Sequence, residues 1–386
     1  VFARRTSWQL TPNRLAQALQ RLRAAGADVL DLTESNPTRC GLRYAQAQIL
    51  AALAQPESLT YSPDARGLCR ARESVVAYYA ERALRIDPDG IVLTTSTSEG
   101  YSFVFRLLCD PGDEVLVPSP SYPLFELLAD VQDVKLVPYP LFYDHGWHVD
   151  LHSLRSAVSP RTRAVMVVHP NNPTGSYVQA GKAEALSRLC RERELALVAD
   201  EVFLDYSHGG PPPPSFAGNP QALTFTLSGL SKISALPQMK VAWIVTSGPK
   251  EVEAGARERL EVIADTYLSL STPLQLAAPQ LLAQRHAMRS QLLERIAANL
   301  SQLDAQLARQ KSCQRLQIEG GWYAVLRVPV TGSDEELALA LLERQSVFVH
   351  PGHFYDFPAD GYLVLSLITP PDSFREGVKR LLQHIT

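Results

Sequence analysis

The 386-residue chain predicts an α/β fold, with a large, mostly parallel sheet covered by helices and a smaller α+β unit after it. Three observations predict this. Short apolar strands alternate with helical stretches from Ile91 to Val245, the pattern of crossovers between parallel strands. The strands are strongly apolar, Arg163 to His169 most of all, as when both faces of a sheet are covered. After about Cys313 strands and helices follow in an order that suits an antiparallel sheet with helices on one side.

The elements follow in order. Asn13 to Ala25 is a helix, with Leu15, Leu19 and Leu22 at helical spacing, and the Asn-Pro and Gly of 31–41 break it into a polar loop. That loop serves a ligand or simply connects. Tyr61 to Gly67 is a turn, and Leu68 to Leu84 a helix. Ile91 to Thr94 is a strand, and Ser96 to Gly100 starts a helix that runs to about Cys109. Strands follow at Glu114 to Val117, Lys135 to Tyr139, Arg163 to His169 and Ala196 to Asp200, with helices at about 123–131 and 180–194. Residues 209–220, with Pro211 to Pro214, form an exposed loop. Strands return at Leu223 to Leu227 and Val241 to Val245. Gly248 to about Leu307 is helical, interrupted at Pro273 and Pro279. Trp322 to Val328 and Tyr362 to Leu367 are strands; Asp334 to Gln345 and Ser373 to Ile385 are helices.

Composition excludes several classes. A net charge of −3 leaves no basic surface for nucleic acid or an anionic membrane. No apolar run reaches the roughly 18 residues of a membrane helix. The five cysteines are scattered, odd in number and without a CxxC pair. They read as reduced thiols of a cytoplasmic protein, with no metal site and no disulfide frame.

The chemistry centres on Lys232. A strand enters at Leu223 to Leu227, the turn Ser228-Gly-Leu-Ser231 follows, and the lysine stands at the mouth of the sheet with Lys240 eight residues on. A neighbouring cation lowers an amine's pKa and makes it more nucleophilic. Taken alone, Lys232 reads better as a surface lysine in a loop. Ser96-Thr97-Ser98, between a strand and a helix start, offers N–H groups, hydroxyls and a helix dipole to a phosphate, or merely caps the helix. His169-Pro-Asn-Asn-Pro-Thr-Gly175 follows the most apolar strand, at the sheet edge where open α/β sheets bind ligands. Asp200 closes a buried strand and needs a partner there. Tyr122, between two prolines, stacks on a flat ligand or packs in the core.

Together, in this order, these stretches resemble the class I/II aminotransferases, pyridoxal-phosphate enzymes of fold type I. Pro120-Ser-Tyr-Pro123, Asn171-Asn-Pro-Thr-Gly175, Asp200-Glu-Val-Phe203 and Ser228-Gly-Leu-Ser-Lys232 carry the resemblance best. It implies a large cofactor domain at 42–270 and a small domain from 1–41 and 271–386. It implies a transferase that moves an amino group from an amino donor to an oxo acid by a ping-pong mechanism through a lysine Schiff base. A lyase or decarboxylase on the same scaffold is the alternative. The implied cofactor is pyridoxal 5'-phosphate. Lys232 matches the lysine that bonds it, Asp200 the partner of its ring nitrogen, and Asn172 the donor to its phenolic oxygen. Tyr122 matches the stacking ring; Ser96, Thr97, Ser98, Ser231 and Lys240 match the phosphate site. Tyr61 matches a tyrosine that reaches the neighbouring subunit's phosphate, which implies a homodimer with shared sites.

Three positions depart from the family pattern. Phe203 stands where a tyrosine is usual, Lys240 where an arginine is usual, and Val364 where an arginine usually clamps the substrate carboxylate. Either another cation takes over that carboxylate, with Arg39 the candidate, or the substrate or its pose is unusual.

Overall fold

The structure is a computed structural model and describes residues 1–385. Its main sheet has eight strands. Their order is Ile91–Thr94, Ala242–Ser247, Thr224–Gly229, Ala196–Asp200, Thr162–Val168, Glu114–Ser119, Lys135–Tyr143 and Trp147–Val149. Ala242–Ser247 runs against both of its neighbours, and Trp147–Val149 turns back along Lys135–Tyr143; the other pairings are parallel.

Side-chain alternation sends successive residues of each strand to opposite faces. Ala164, Met166 and Val168 join Val198, Phe225 and Leu227 beneath the helices Thr97–Leu108, Leu124–Asp130 and Lys250–Tyr267. Val165, Val167, Leu197 and Ala199 face the helices Leu151–Ala157 and Ala180–Glu192. With both faces covered, ligand access falls to the strand ends. Residues 95–98, 120–123, 169–175, 200 and 229–232 all end or follow strands that finish at one edge.

The second layer is a four-stranded antiparallel sheet in the order Gln314–Arg315, Tyr323–Arg327, Tyr362–Ser366, His350–Pro351. The amino end of the chain joins this layer through a separate two-stranded pairing. Leu30–Asp31 pairs in parallel with Val347–Phe348, and the Ser366 amide donates to the Leu32 carbonyl at 2.7 Å. The helices Arg14–Ala24, Asp334–Gln345 and Pro371–Ile385 share this core through Leu15, Leu341, Phe374 and Leu381. Ser333 and Glu336 form a reciprocal cap on the second of them.

The long helical stretch divides, as expected, into more than one helix, but the breaks do not fall where the sequence reading put them. It forms three helices, Lys250–Tyr267, Thr272–Ala283 and Arg285–Leu307. Pro273 sits in the first turn of the middle helix, where it is tolerated. Pro279 lies inside that helix and does not end it. Leu276, Ala277, Ala278, Leu281 and Leu282 are buried around it, and this burial outweighs the roughly 3 kcal/mol cost of an internal proline. The first break falls instead at Leu268, with φ of +65°.

Candidate active site

At the shared strand edge lies a cleft of about 150 Å³. Six of the residues singled out in the sequence line it: Thr97, Tyr122, Asn172, Asp200, Ser231 and Lys232. Each comes from a different turn or strand end, except Ser231 and Lys232, which share the short helix Leu230–Ile233. Gly229 lets that helix sit close to the neighbouring strand, since a Cβ there would lie 2.7 Å from the Ala242 Cβ and 2.9 Å from the Val241 carbonyl oxygen. The Tyr206 hydroxyl donates to the Lys232 carbonyl at 2.6 Å and fixes the turn.

The Lys232 amine stands in an aromatic corner, 5.0 Å from the Trp322 ring centre and 5.6 Å from that of Phe203. Burial pushes its pKa down to about 8, and the Asp200 carboxylate opposes that shift. This corrects the expected cause. Lys240, exposed in left-handed backbone after the turn Pro237–Met239, is not the group that depresses the amine. The sign gives a prediction. Below about pH 8 the neutral, nucleophilic fraction falls tenfold per unit. The rate at which the amine captures an added aromatic aldehyde should therefore rise with slope one up to about 8 and then level. Stopped-flow absorbance across pH 6–10 checks this. A rate still climbing towards 10 would mean that the amine is not desolvated.

Asp200 ends its strand buried, with two donors. The Tyr101 hydroxyl donates to Oδ2 at 2.7 Å and the Val202 amide to Oδ1 at 3.0 Å. Burial raises its pKa, against those two bonds and the nearby lysine. Strand alternation turns Glu201 the other way, to hold the Ser215 hydroxyl and Phe216 amide, each at 2.6 Å. Tyr101 was not singled out in the sequence. It sits four residues after Thr97 on one helix, so that it shares a helical face with a proposed phosphate residue, and this spacing was its available signal. Ser35 and Tyr323 also line the cleft unannounced.

The other expected residues lie elsewhere. The Ser96 hydroxyl accepts the Glu99 amide at 3.1 Å and caps the helix Thr97–Leu108; neither it nor Ser98 lines the cleft. Tyr61 is 71% exposed and Arg39 is exposed, both outside the cleft lining. Val364 is buried in an apolar cluster and contributes no polar group.

The cleft fits a flat, anionic, nitrogen-bearing ring. It offers a buried carboxylate at one place, an amine that is readily neutral at another, and an aromatic ring at Tyr122. It also has the start of a helix at Thr97. Asn172 is buried, and its Oδ1 has no hydrogen-bond partner among the described residues, an unusual loss unless a polar ligand completes the site. Among the described residues no cluster of His, Cys, Asp and Glu suits a metal ion, and no helix is long and apolar enough to cross a membrane.

Comparison with known proteins agrees with this geometry. The family described as aminotransferase class I and II matches residues 27–381. The glutamate-pyruvate aminotransferase AlaA of Haemophilus influenzae is 24% identical over 374 residues, covering 95% of this chain and 93% of that protein. The alanine aminotransferase of Mycobacterium tuberculosis (strain H37Rv) is 28% identical over 377 residues, covering 95% and 87%. The solved alanine aminotransferase from Pyrococcus furiosus superposes with a TM-score of 0.92 at 22% identity, over 100% of this chain and 99% of that one. The chain belongs to the class I and II aminotransferases. It is an aminotransferase with the α/β fold of that family, which supports group transfer over the lyase alternative.

Proposed function

We propose that the cleft binds pyridoxal 5'-phosphate and that the protein moves an amino group between an amino acid and a 2-oxo acid in two half-reactions. One observation carries this reading: Lys232, an amine with its pKa lowered to about 8, shares a cleft with the buried carboxylate of Asp200. When bound, the cofactor supplies an aldehyde for amines and a ring that withdraws electrons from the substrate's α-carbon. Lys232 Nζ anchors it covalently and, once free, carries a proton on and off the α-carbon. The Asp200 carboxylate holds the proton on the ring nitrogen, and Tyr101 orients that carboxylate. The Asn172 side-chain amide donates through Nδ2 to the ring's oxygen. Tyr122 would cover one face, and Thr97, Ser231 and the helix start would hold the phosphate, with Ser96 and Ser98 shaping that turn; Lys240, exposed and outside the cleft lining, is the cation proposed to reach the phosphate. Phe203 gives no hydroxyl to the ring, only an apolar wall.

Alanine, glutamate and pyruvate are the first substrates to try, because the relatives are named for them. The loaded protein should change its cofactor absorbance on adding an amino acid and recover it on adding pyruvate. Recovery with no acceptor, accompanied by a released product, would mean a lyase instead.

The same reading makes the protein a homodimer of the cytoplasm. Its five cysteines are all unpaired, as in a reducing compartment. Tyr61 projects from the surface near the exposed Leu59, a place for it to reach a partner's phosphate. Mixing two inactive proteins, Lys232→Ala and Tyr61→Ala, should restore about one quarter of wild-type activity, because half of the randomly mixed dimers carry one intact site. No recovery in a mixture shown to exchange subunits would remove the shared site.

A further inference from the structure

Substrate carboxylates are costly to bury unpaired, yet among the described residues Lys232 is the one cationic side chain that lines the cleft, and the proposed function commits it to the cofactor. The remaining donors divide by position. Thr97, Ser231 and Asn172 belong to the edge of the main sheet, with Asp200. Ser35 and Tyr323 form the facing wall, from the second layer.

Strand register shows why the tyrosine reaches in. Tyr323 pairs with Ser366, and two residues along Val325 pairs with Val364, so that these four side chains share one face of the small sheet. Val364 is too short to reach the cleft, whereas its diagonal neighbour Tyr323 lines it. The Tyr323 ring is steadied edge-on by Phe203, with centres 6.1 Å apart at 87°. The Ser35 hydroxyl lies beside the Tyr323 phenol. Backbone on either side of Ser35 is fastened: the Ser366 hydroxyl donates to the Glu34 carbonyl at 2.7 Å, and the Asn36 amide donates to Glu34 Oε1 at 2.8 Å. A phenol and a hydroxyl held this way are preorganised donors for an anion.

We propose that the Tyr323 hydroxyl, with Ser35 beside it, is the specificity-determining donor that receives the substrate's carboxylate. This rests on the reading of the cleft as an amino-acid site. Recognition by neutral hydroxyls fixes the carboxylate by direction rather than by charge. The donor is an α-amino acid whose carboxylate lies against the small sheet.

The test uses cofactor-loaded protein and two amines without an α-hydrogen, 2-methylalanine and its carboxylate-free isostere tert-butylamine. Neither can undergo transfer, so binding is read by calorimetry and cofactor absorbance whether or not the protein transaminates. Failure of transfer is a separate result, seen with alanine and pyruvate. Wild-type protein should bind 2-methylalanine more tightly. Tyr323→Phe should weaken that binding by about tenfold or more while changing the affinity for tert-butylamine and for pyridoxal phosphate by less than about twofold. Ser35→Ala should give a smaller loss of the same kind. Unaltered melting temperatures exclude a folding defect in these conservative variants. Equal affinity of wild-type and Tyr323→Phe protein for 2-methylalanine overturns the assignment. So does an equal loss for both amines, or a loss found in Arg39→Ala but not in Tyr323→Phe.

Discussion

Lys232→Ala protein is expected to lose amino transfer by at least about 10⁴-fold, because in the proposed function one side chain both anchors the cofactor and shuttles the proton. No substitute amine is at hand. Among the described residues no other lysine lines the cleft, and Lys240 stands exposed outside it. Noncovalent cofactor binding should survive, since Asp200, Asn172 and the helix start at Thr97 remain. Borohydride reduction followed by peptide mass spectrometry separates the two effects. Wild-type protein should carry the added mass on the peptide containing residue 232, and the variant should carry none. The same trapping yield on another lysine in the variant would move the anchor elsewhere.

Asp200→Ala should cut turnover by about 10²–10³-fold, the scale seen when a single electrostatic partner of a reacting centre is removed. Cofactor affinity should fall far less, because the phosphate and aldehyde contacts persist. The substitution also strands the buried Tyr101 hydroxyl, which now donates to Asp200 Oδ2 at 2.7 Å. An orphaned buried donor costs about 1–3 kcal/mol, so a lower melting temperature should accompany the kinetic loss. Asp200→Asn separates the causes. Its amide oxygen keeps a bond to the phenol while its NH2 faces the Val202 amide, so stability should recover only in part, and it cannot balance a protonated ring nitrogen, so turnover should stay low. A fully active Asp200→Asn enzyme would reduce this aspartate to a structural role.

How much of this was legible in the sequence depended on how local each feature is. The strands Ile91–Thr94 and Ala196–Asp200 and the helix Asp334–Gln345 have the expected bounds, since each is a distinct pattern closed by breakers or caps. Pro279 misled because packing against helices far away in the chain decided that segment. The cleft shows the same division. Lys232, Asp200 and Asn172 stand at ends of strands and announce themselves as polar residues after apolar runs. Tyr101 reaches Asp200 across 99 positions, and Ser35 meets Tyr323 across a greater span, so that no local window joins them. Ser96 shows the converse, with the local reading of a helix cap accounting for its hydroxyl. The pKa of Lys232 belongs here too: burial, which sequence spacing does not report, lowers it, and Lys240, the charge that spacing suggested, takes no part.

The wall that carries Tyr323 is stitched to the start of the chain, with the Ser366 hydroxyl on the Glu34 carbonyl across 332 positions. During synthesis from the amino end, every strand of the main sheet has been made once Ser247 leaves the ribosome, whereas the strand Tyr362–Ser366 comes more than a hundred residues later. The nascent chain can therefore assemble Lys232, Asp200 and Asn172 at an edge that still lacks its facing side. Until the chain beyond Ser247 is made, that amine also lacks Trp322, whose ring centre lies 5.0 Å from it in the finished fold.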